Sequence, residues 1–346
     1  MANYGSFTEK APHEDGFAAV FAAEIAPRLE TVEAERKRRQ RAIRTRSLIL
    51  GGVAVALVAV AILGLSLQAV EAMGALAAVV LAAAVALGWR WVFGLRKAHR
   101  DALREVLAGP ICRFLGGLRY ARDPEGAVDT RRFSAYGLVA DHEEAHTEDL
   151  FEGNHRGTSF RMVEARLRAR HSARAGRRQH NVFQGLLFEV QVPVPFGGRT
   201  LISADRGLVA DAIAGLCEAG DADCIQKVGF DDPAFEARYQ TYSDDPVEAW
   251  RLMNPAFRAN LVALAEAHEE PPLGASFAEG IFRLALPTKR DLFEPGSIWR
   301  SGLRSETDAR QLLTEVAIPI RVIDCLHGGA AERGGVGVVK PPVPAG

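Results

Sequence analysis

Cysteine is scarce in this chain and is scattered. The four cysteines among the 346 residues include no C-x-x-C pair, which argues against a disulfide framework or a thiolate zinc site and predicts reduced thiols. The chain also has no large excess of positive or of negative charge. The 42 basic and 43 acidic side chains leave a net charge of -1, so binding of nucleic acid through bulk positive charge is not expected. The sequence also lacks a P-loop, a G-x-G-x-x-G fingerprint and a G-x-S-x-G elbow, and we predict no cofactor.

Charge is almost absent from one long stretch. Residues 48 to 89 contain a single charged side chain, Glu71. Within this stretch, Leu48–Leu67 is a run of twenty uncharged residues with twelve Leu, Ile or Val. At roughly -0.3 to -0.6 kcal/mol each, those twelve favour insertion into a bilayer by about 4 to 7 kcal/mol. Twenty helical residues also match a hydrocarbon layer of about 30 Å. We therefore expect residues 47–67 to form a transmembrane helix.

A second apolar segment, residues 73–93, is richer in alanine. Arg90 stands near its end, where a long side chain can reach the headgroups. Trp89 and Trp91 stand beside it, as aromatic residues do at membrane interfaces. Since only residues 68–72 separate the two segments, they predict an antiparallel transmembrane hairpin.

Positive charge flanks both ends of this predicted hairpin. Seven Lys or Arg precede it within residues 36 to 46, five follow it between residues 90 and 104, and the connecting loop has none. By the positive-inside rule, both ends of the chain are cytoplasmic. The expected organisation is a bacterial inner-membrane protein that crosses the membrane twice. It has an amphipathic and basic helical lead (1–46), the hairpin (47–94), a cytosolic domain (95–326) and a disordered tail (327–346).

Hydrophobic periodicity predicts an α+β fold for the cytosolic domain, with antiparallel strands and packed helices. Phe160 and Met162 alternate with polar residues, and so do Ala165 and Leu167, but in the opposite phase. This change of phase at Val163-Glu164 predicts a β-bulge. Further along, we expect a basic loop over 170–178, a strand over 182–194, a helix over 208–219, and a β-hairpin over 274–287 that turns at Glu279-Gly280.

A set of short motifs follows the predicted hairpin. They are Glu148-Asp149-Leu150-Phe151-Glu152-Gly153, Val182-Phe183-Gln184-Gly185-Leu186-Leu187, Gly198-Arg199-Thr200, Tyr242-Ser243-Asp244-Asp245-Pro246 and Leu252-Met253-Asn254-Pro255-Ala256-Phe257. With the basic lead and the apolar hairpin, they resemble a family of bacterial membrane proteins catalogued only as a domain of unknown function. The resemblance covers most of residues 17 to 300. It implies a two-helix anchor and a cytosolic α+β domain, and it brings no catalytic or binding residues with it.

One segment matches the H-E-x-x-H zinc motif, with histidines at 142 and 146. On a helix, His142 and His146 would face one metal ion, Glu143 would activate its water, and Glu164 could supply a third ligand. Acidic neighbours crowd the segment, whereas the helix that carries such a motif is usually buried. We therefore favour an acidic surface segment without a metal, and keep a membrane-tethered zinc hydrolase as the alternative.

The second basic cluster lies in the predicted loop at residues 170–178. Close to a membrane, such charges gain about 1 kcal/mol each from anionic lipid headgroups. The candidate lipid- or partner-binding residues are Arg170, Arg174, Arg177 and Arg178. The other interpretation is a solvated hairpin loop that pairs with the acidic 141–152 segment.

These observations favour a binding or scaffold module on the cytosolic face of the membrane over an enzyme. The expected partners are the lipid bilayer, its anionic headgroups and a protein that the sequence does not identify.

Overall fold

The computed structural model describes most of the sequence beyond residue 104. The described ranges are 7–32, 104–124, 126–173, 176–192, 195–204, 206–217, 224–267, 274–288 and 305–327, with scattered positions between 34 and 102. The chain divides into two compact units. One unit comprises Met1–Phe7, Ala18–Pro110 and Phe293–Ala309, and the other comprises Thr8–Phe17, Ile111–Leu292 and Arg310–Gly346. Apart from its first residue, the predicted tail (327–346) lies outside the described residues.

The first unit is mainly helical where it is described. Residues 26–32 form a helix that follows a π-helical turn, Phe21–Ile25. The side chains of Phe21, Ile25 and Leu29 are buried, as side chains at helical spacing along one face would be. Most of the predicted transmembrane hairpin lies outside the described residues. Among the described ones, no helix combines the length and the apolar character needed to cross a bilayer.

The second unit is built on one antiparallel sheet. Its strands, among the described residues, are β1 Arg119–Ala121, β2 Glu144–His155, β3 Thr158–Ala173, β4 Gly176–Gln191, β5 Thr200–Ser203, β6 Gln226–Val228, β7 Gln240–Ser243, β8 Gly274–Ala278 and β9 Ile281–Pro287. Their order across the sheet is β1-β2-β3-β4-β9-β8-β5-β7-β6. Every neighbouring pair is antiparallel. The predicted α+β class with antiparallel strands is confirmed.

The described residues also form short helices. They are α1 Phe17–Val20, α2 Thr130–Ala135, α3 Arg206–Leu216, α4 Pro233–Glu236, α5 Pro246–Leu252, α6 Pro255–Ala267, α7 Ser305–Val316 and α8 Ile318–Leu326. Local side-chain chemistry sets several of their starts. The Oδ1 of Asn254 accepts a 2.9 Å hydrogen bond from the backbone N–H of Phe257 and caps α6. Pro319 lies in the first turn of α8, where its missing N–H has no cost.

Successive side chains of a strand point to opposite faces of a sheet, and here each face has its own core. The aromatic face carries Phe188, Phe277 and Phe282, all buried. Phe257 of α6 packs against it, with its ring centroid 5.3 Å from that of Phe282. Helix α8 also contacts β3 and β4.

The opposite, aliphatic face is covered by α2 and α3. Its buried cluster joins Val163 and Leu187 of the sheet to Phe133 of α2 and to Val209 and Ala212 of α3. Because helices pack on both faces, the long strands β3 and β4 bury residues on both sides.

This double cover corrects the predicted bulge in β3. The side chain of Met162 faces the aromatic core and that of Val163 faces the aliphatic core. The hydrophobic phase changes here because helices cover both faces of the strand. The bulge lies in β2 instead, where the register shifts between Glu148 and Phe151 and two residues oppose Val163. One of the two, Asp149, has a positive φ of 55°. The sequence pattern of β3 therefore predicted a backbone irregularity in the wrong strand.

The turn between β8 and β9 is where the sequence placed it. Glu279 and Gly280 link the two strands and have φ values of 57° and 75°. Two consecutive positive φ angles are what a type I′ hairpin requires, because its twist matches that of the strands.

Candidate functional site

The histidines of the predicted zinc motif do not lie on a helix. Strand β2 begins at Glu144 and carries His146, whose Nε2 lies 2.8 Å from Glu148 Oε1. His142 precedes the strand, and its ring nitrogens pair with the hydroxyls of Thr130 (2.9 Å) and Ser134 (3.1 Å) in α2. The helical spacing that would aim both imidazoles at one metal ion is absent from this segment, because the chain is extended there.

The third candidate ligand is separated from His142 by the sheet. Glu164 is buried and follows Val163 in β3, so it points to the side opposite Val163. His142 is held by α2, which packs on the Val163 side. The carboxylate of Glu143 accepts a 2.7 Å hydrogen bond from the backbone N–H of Arg170. The four residues of the zinc alternative are therefore not brought together.

The predicted basic loop is the end of a long β-hairpin. β3 continues to Ala173 and β4 begins at Gly176, so Arg177 and Arg178 belong to a strand and Arg174 lies outside the described residues. Strand β2 pairs with β3 no further than Arg168. Beyond that point, the described residues show a two-stranded ribbon. The loop prediction was wrong because β3 and β4 pair with each other through most of this segment. A polar and basic composition does not by itself indicate such strand pairing.

One of the four candidate arginines is already paired. The guanidinium of Arg170 lies 2.5 Å from Glu144 Oε1, and Gln179 donates to the same carboxylate at 2.7 Å. Its side chain remains 49% exposed. The acidic segment at 143–144 thus offsets part of the positive charge at the base of the ribbon.

A row of charges crosses the aliphatic face at the end that α2 and α3 leave uncovered. Opposite residues in five neighbouring strands alternate in sign. This charge row consists of Arg119, Glu152, Arg161, Glu189 and Arg283. Glu152 bridges Arg119 at 2.5 Å and Arg161 at 3.5 Å. Such cross-strand pairs stabilise a sheet by roughly 0.2–1 kcal/mol each.

The charge row forms much of the floor of an open groove of about 550 Å³. Asn154, Ser159 and Gln191 extend the floor on the side away from the core, and Ile281 adds apolar surface. A second groove of about 520 Å³ adjoins it and shares Arg119, Glu152 and Arg161. The combined surface therefore presents guanidinium, amide and hydroxyl donors beside carboxylate acceptors, with Arg119 and Arg161 more than half exposed.

Arg283 fixes the inner end of the row. Its side chain is 4% exposed and lies 3.1 Å from Glu189, with a weaker contact to Glu279 at 3.5 Å. Its guanidinium also stands 5.4 Å from the centre of the Tyr136 ring. Burial raises the pKa of the Tyr136 hydroxyl, and the charge of Glu279 adds to that effect. This buried anchor holds Glu189 in place beneath the groove.

Two of the four cysteines are bonded, which corrects the prediction of reduced thiols. Cys217, just after α3, forms a disulfide with Cys224, seven residues further along the chain. Cys112 and Cys325 are free and buried. Burial raises the pKa of the Cys112 thiol to about 12 and also raises that of Cys325. The sequence signal for the bond is only that six residues separate these two cysteines.

Sequence reasoning also missed the charge row. Its signal is a charged residue at an inward position of a strand that is otherwise apolar, as with Arg283 between Phe282 and Leu284. Cross-strand partners decide whether such a charge is paired, and those partners become known only with the sheet order.

Part of the chain is similar to a known family. Residues 181–327, from β4 to the end of α8, match the model of a family described as a protein of unknown function (DUF3137). The match supports the resemblance to a domain of unknown function over residues 181–300, and the expected two-helix anchor lies outside it. No curated protein matches the chain. Among solved structures, the chain is similar to the mycobacterial trehalose monomycolate transport factor A, TtfA. The two are 13% identical, the similarity covers 60% of this chain and 93% of that one, and the TM-score of 0.29 is too low to establish a shared fold.

Proposed function

We propose that this chain is a membrane-tethered binding module whose sheet domain recognises a protein partner through the groove above the charge row. The observation that carries the proposal is the groove itself. The groove is open and has a volume of about 550 Å³. A buried salt bridge between Glu189 and Arg283 holds one end of its floor in place. A floor held in this way meets its partner with little ordering cost, which favours binding.

The chemistry of the floor favours an extended polar segment of a protein. Donors and acceptors alternate along the charge row, and a peptide chain offers both kinds of group at short intervals. Charges of both signs line the groove, and the basic side chains of the row are the more exposed ones. Arg119 and Arg161 are the residues best placed to contact it, since their side chains are 70% and 54% exposed.

Site-specific photo-crosslinking in native membranes tests this groove. We expect a discrete crosslinked product from a photoreactive residue at Ser159 or Gln191, and none from one at the remote, exposed Glu266. The product should disappear in the Arg119→Glu/Arg161→Glu background and persist with Arg238→Glu, a charge reversal at an exposed ion pair elsewhere. Equal labelling at the groove and at Glu266 would contradict the proposal.

The tether is residues 47–93. Its support is the uncharged run within 48–89 and the flanking positive charge. Exposed apolar side chains also support it, since Leu48, Ile49 and Val55 expose 77%, 60% and 70% of their surfaces. Reporter fusions after residues 30, 70 and 130 test the orientation. We expect cytoplasmic signals from the first and the last. An extracytoplasmic signal from the fusion at residue 130 would contradict the proposed orientation, in which both ends of the chain are cytoplasmic.

The arginine ribbon supports a second candidate, contact with anionic lipid headgroups. Among the described residues, its positions 170–173 and 176–179 pair as strands only with each other. Glu143 and Glu144 contact its base, at Arg170 and Gln179. Vesicles with and without phosphatidylserine test it with a chain that lacks only residues 47–93, which keeps Thr8–Phe17 of the second unit. Binding should need the anionic lipid and weaken with salt, since exposed charges are screened over about 8 Å at physiological ionic strength. If charge reversal at positions 170, 174, 177 and 178 leaves vesicle binding unchanged, the ribbon does not bind anionic headgroups.

A further inference from the structure

The cysteine pair stands in a setting that differs from that of the two free cysteines. Cys217 and Cys224 are only partly buried, whereas Cys112 and Cys325 are buried. The pair connects the end of α3 to Ile225, which belongs to the aliphatic core. The disulfide is therefore accessible to a small reagent, and it also restrains the position of the core residue Ile225.

Arg199 brings positive charge to one sulfur of the pair. Its Nη2 lies 3.9 Å from the Sγ of Cys224. Asp244 holds the guanidinium in position through a 2.7 Å contact with Nε, and Nη1 donates to the backbone carbonyl of Leu216 at 3.3 Å. These anchors keep the guanidinium beside Cys224. A nearby guanidinium stabilises a thiolate.

We propose that Cys217 and Cys224 form a reversible thiol–disulfide exchange site, in which Cys224 is the nucleophile and the leaving thiolate and Arg199 positions and stabilises it. A disulfide in a cytoplasmic protein is usually transient or redox-sensing, so the orientation proposed above agrees with this reading. The contacts of Arg199 support it independently of that orientation.

The exchange balances with a small disulfide such as glutathione disulfide as the oxidant. The Cys224 thiolate attacks one sulfur of the oxidant, forms a mixed disulfide and releases one glutathione thiolate. Cys217 then loses its proton and attacks the Cys224 sulfur, which closes the protein disulfide and releases the second glutathione. In the reverse direction, a glutathione thiolate attacks the Cys224 sulfur and releases Cys217, which takes up a proton. A second glutathione thiolate then attacks the glutathione sulfur of the mixed disulfide, forms glutathione disulfide and releases Cys224 as the thiolate that Arg199 stabilises.

A redox titration of the full-length chain tests the proposal. The purified protein is equilibrated in glutathione buffers of varied ratio, its free thiols are alkylated, and the 217–224 linked peptide is quantified by mass spectrometry. We expect a reversible transition between two and four alkylated cysteines. Arg199→Gln should require a more reducing buffer, by up to roughly tenfold for each pKa unit that the Cys224 thiol gains. Arg199→Lys, which keeps the charge, should restore most of the shift, and Arg238→Gln should leave the midpoint unchanged.

Alkylation of the reduced wild-type protein at varied pH gives a measurement that needs no variant. Cys224 should react before Cys217, with an apparent pKa below the usual thiol value of about 8.5. A pair that stays oxidised at every glutathione ratio would be a purely structural disulfide and would overturn the proposal. So would faster reaction of Cys217, or a midpoint in Arg199→Gln equal to that of the wild type.

Discussion

Replacement of Arg283 by methionine tests the central electrostatic feature of the fold. Its side chain is 4% exposed, and that of its partner Glu189 is 15% exposed. Removal of one member of a buried pair leaves the other as an uncompensated charge, which costs about 3–5 kcal/mol. Because Glu189 borders the open groove and keeps some contact with solvent, we expect the lower end of that range, about 3 kcal/mol.

Hydrogen exchange of the β4 and β9 amides in the full-length chain measures this loss directly, as a lower free energy of opening. Arg238→Met is the matched control, since it breaks an ion pair whose members are 44% and 58% exposed. It should cost less than about 1 kcal/mol. An Arg283→Met/Glu189→Leu double variant should recover much of the stability, because apolar residues can replace a buried pair. If Arg283→Met costs no more than Arg238→Met, the buried pair does not stabilise the sheet and the reasoning fails.

Two further changes probe other parts of the second unit. Burial and the charge of Arg321 lower the pKa of His13 below its usual 6.5, so its stabilising effect is complete above pH 6.5 and is lost as the pH falls through the lowered value. The protection of residues 8–17 against hydrogen exchange, corrected for the slower intrinsic exchange at low pH, should therefore fall on acidification, and His13→Gln should abolish that pH dependence. Gly185→Ala should destabilise the sheet by more than about 2 kcal/mol, because the new Cβ would lie 2.2 Å from the carbonyl oxygen of Leu286. Urea unfolding measures it against Gly197→Ala, which meets open space. Similar midpoints for the two variants would contradict this packing argument.

Features set by neighbouring residues were predictable from the sequence. The turn at Glu279-Gly280 depends on a few consecutive residues, and it was placed correctly. The helix expected over 208–219 is observed as α3, Arg206–Leu216, with its ends shifted by two or three residues. Local propensity fixes where an element starts and what type it is, while its last turn depends on what it packs against.

Features set by distant residues were not predictable. The strand order places β9 between β4 and β8, and no local pattern encodes that neighbour. The 170–178 segment looked like a loop because its composition is polar and basic, yet pairing between β3 and β4 orders most of its backbone. The Cys217–Cys224 bond likewise depends on where the chain returns after α3.

The groove follows from the way the two faces of the sheet are covered. Helices α2 and α3 bury the aliphatic face around Val163 and Leu187, and the strands continue past the edge of that cover. Arg283 stands at this boundary, with the Tyr136 ring on one side and the groove residue Glu189 on the other. Its burial makes the position of Glu189 depend on the core, so loss of Arg283 should weaken partner binding as well as stability. Charge reversal at the exposed Arg119 should weaken binding alone, because a surface ion pair contributes little to folding.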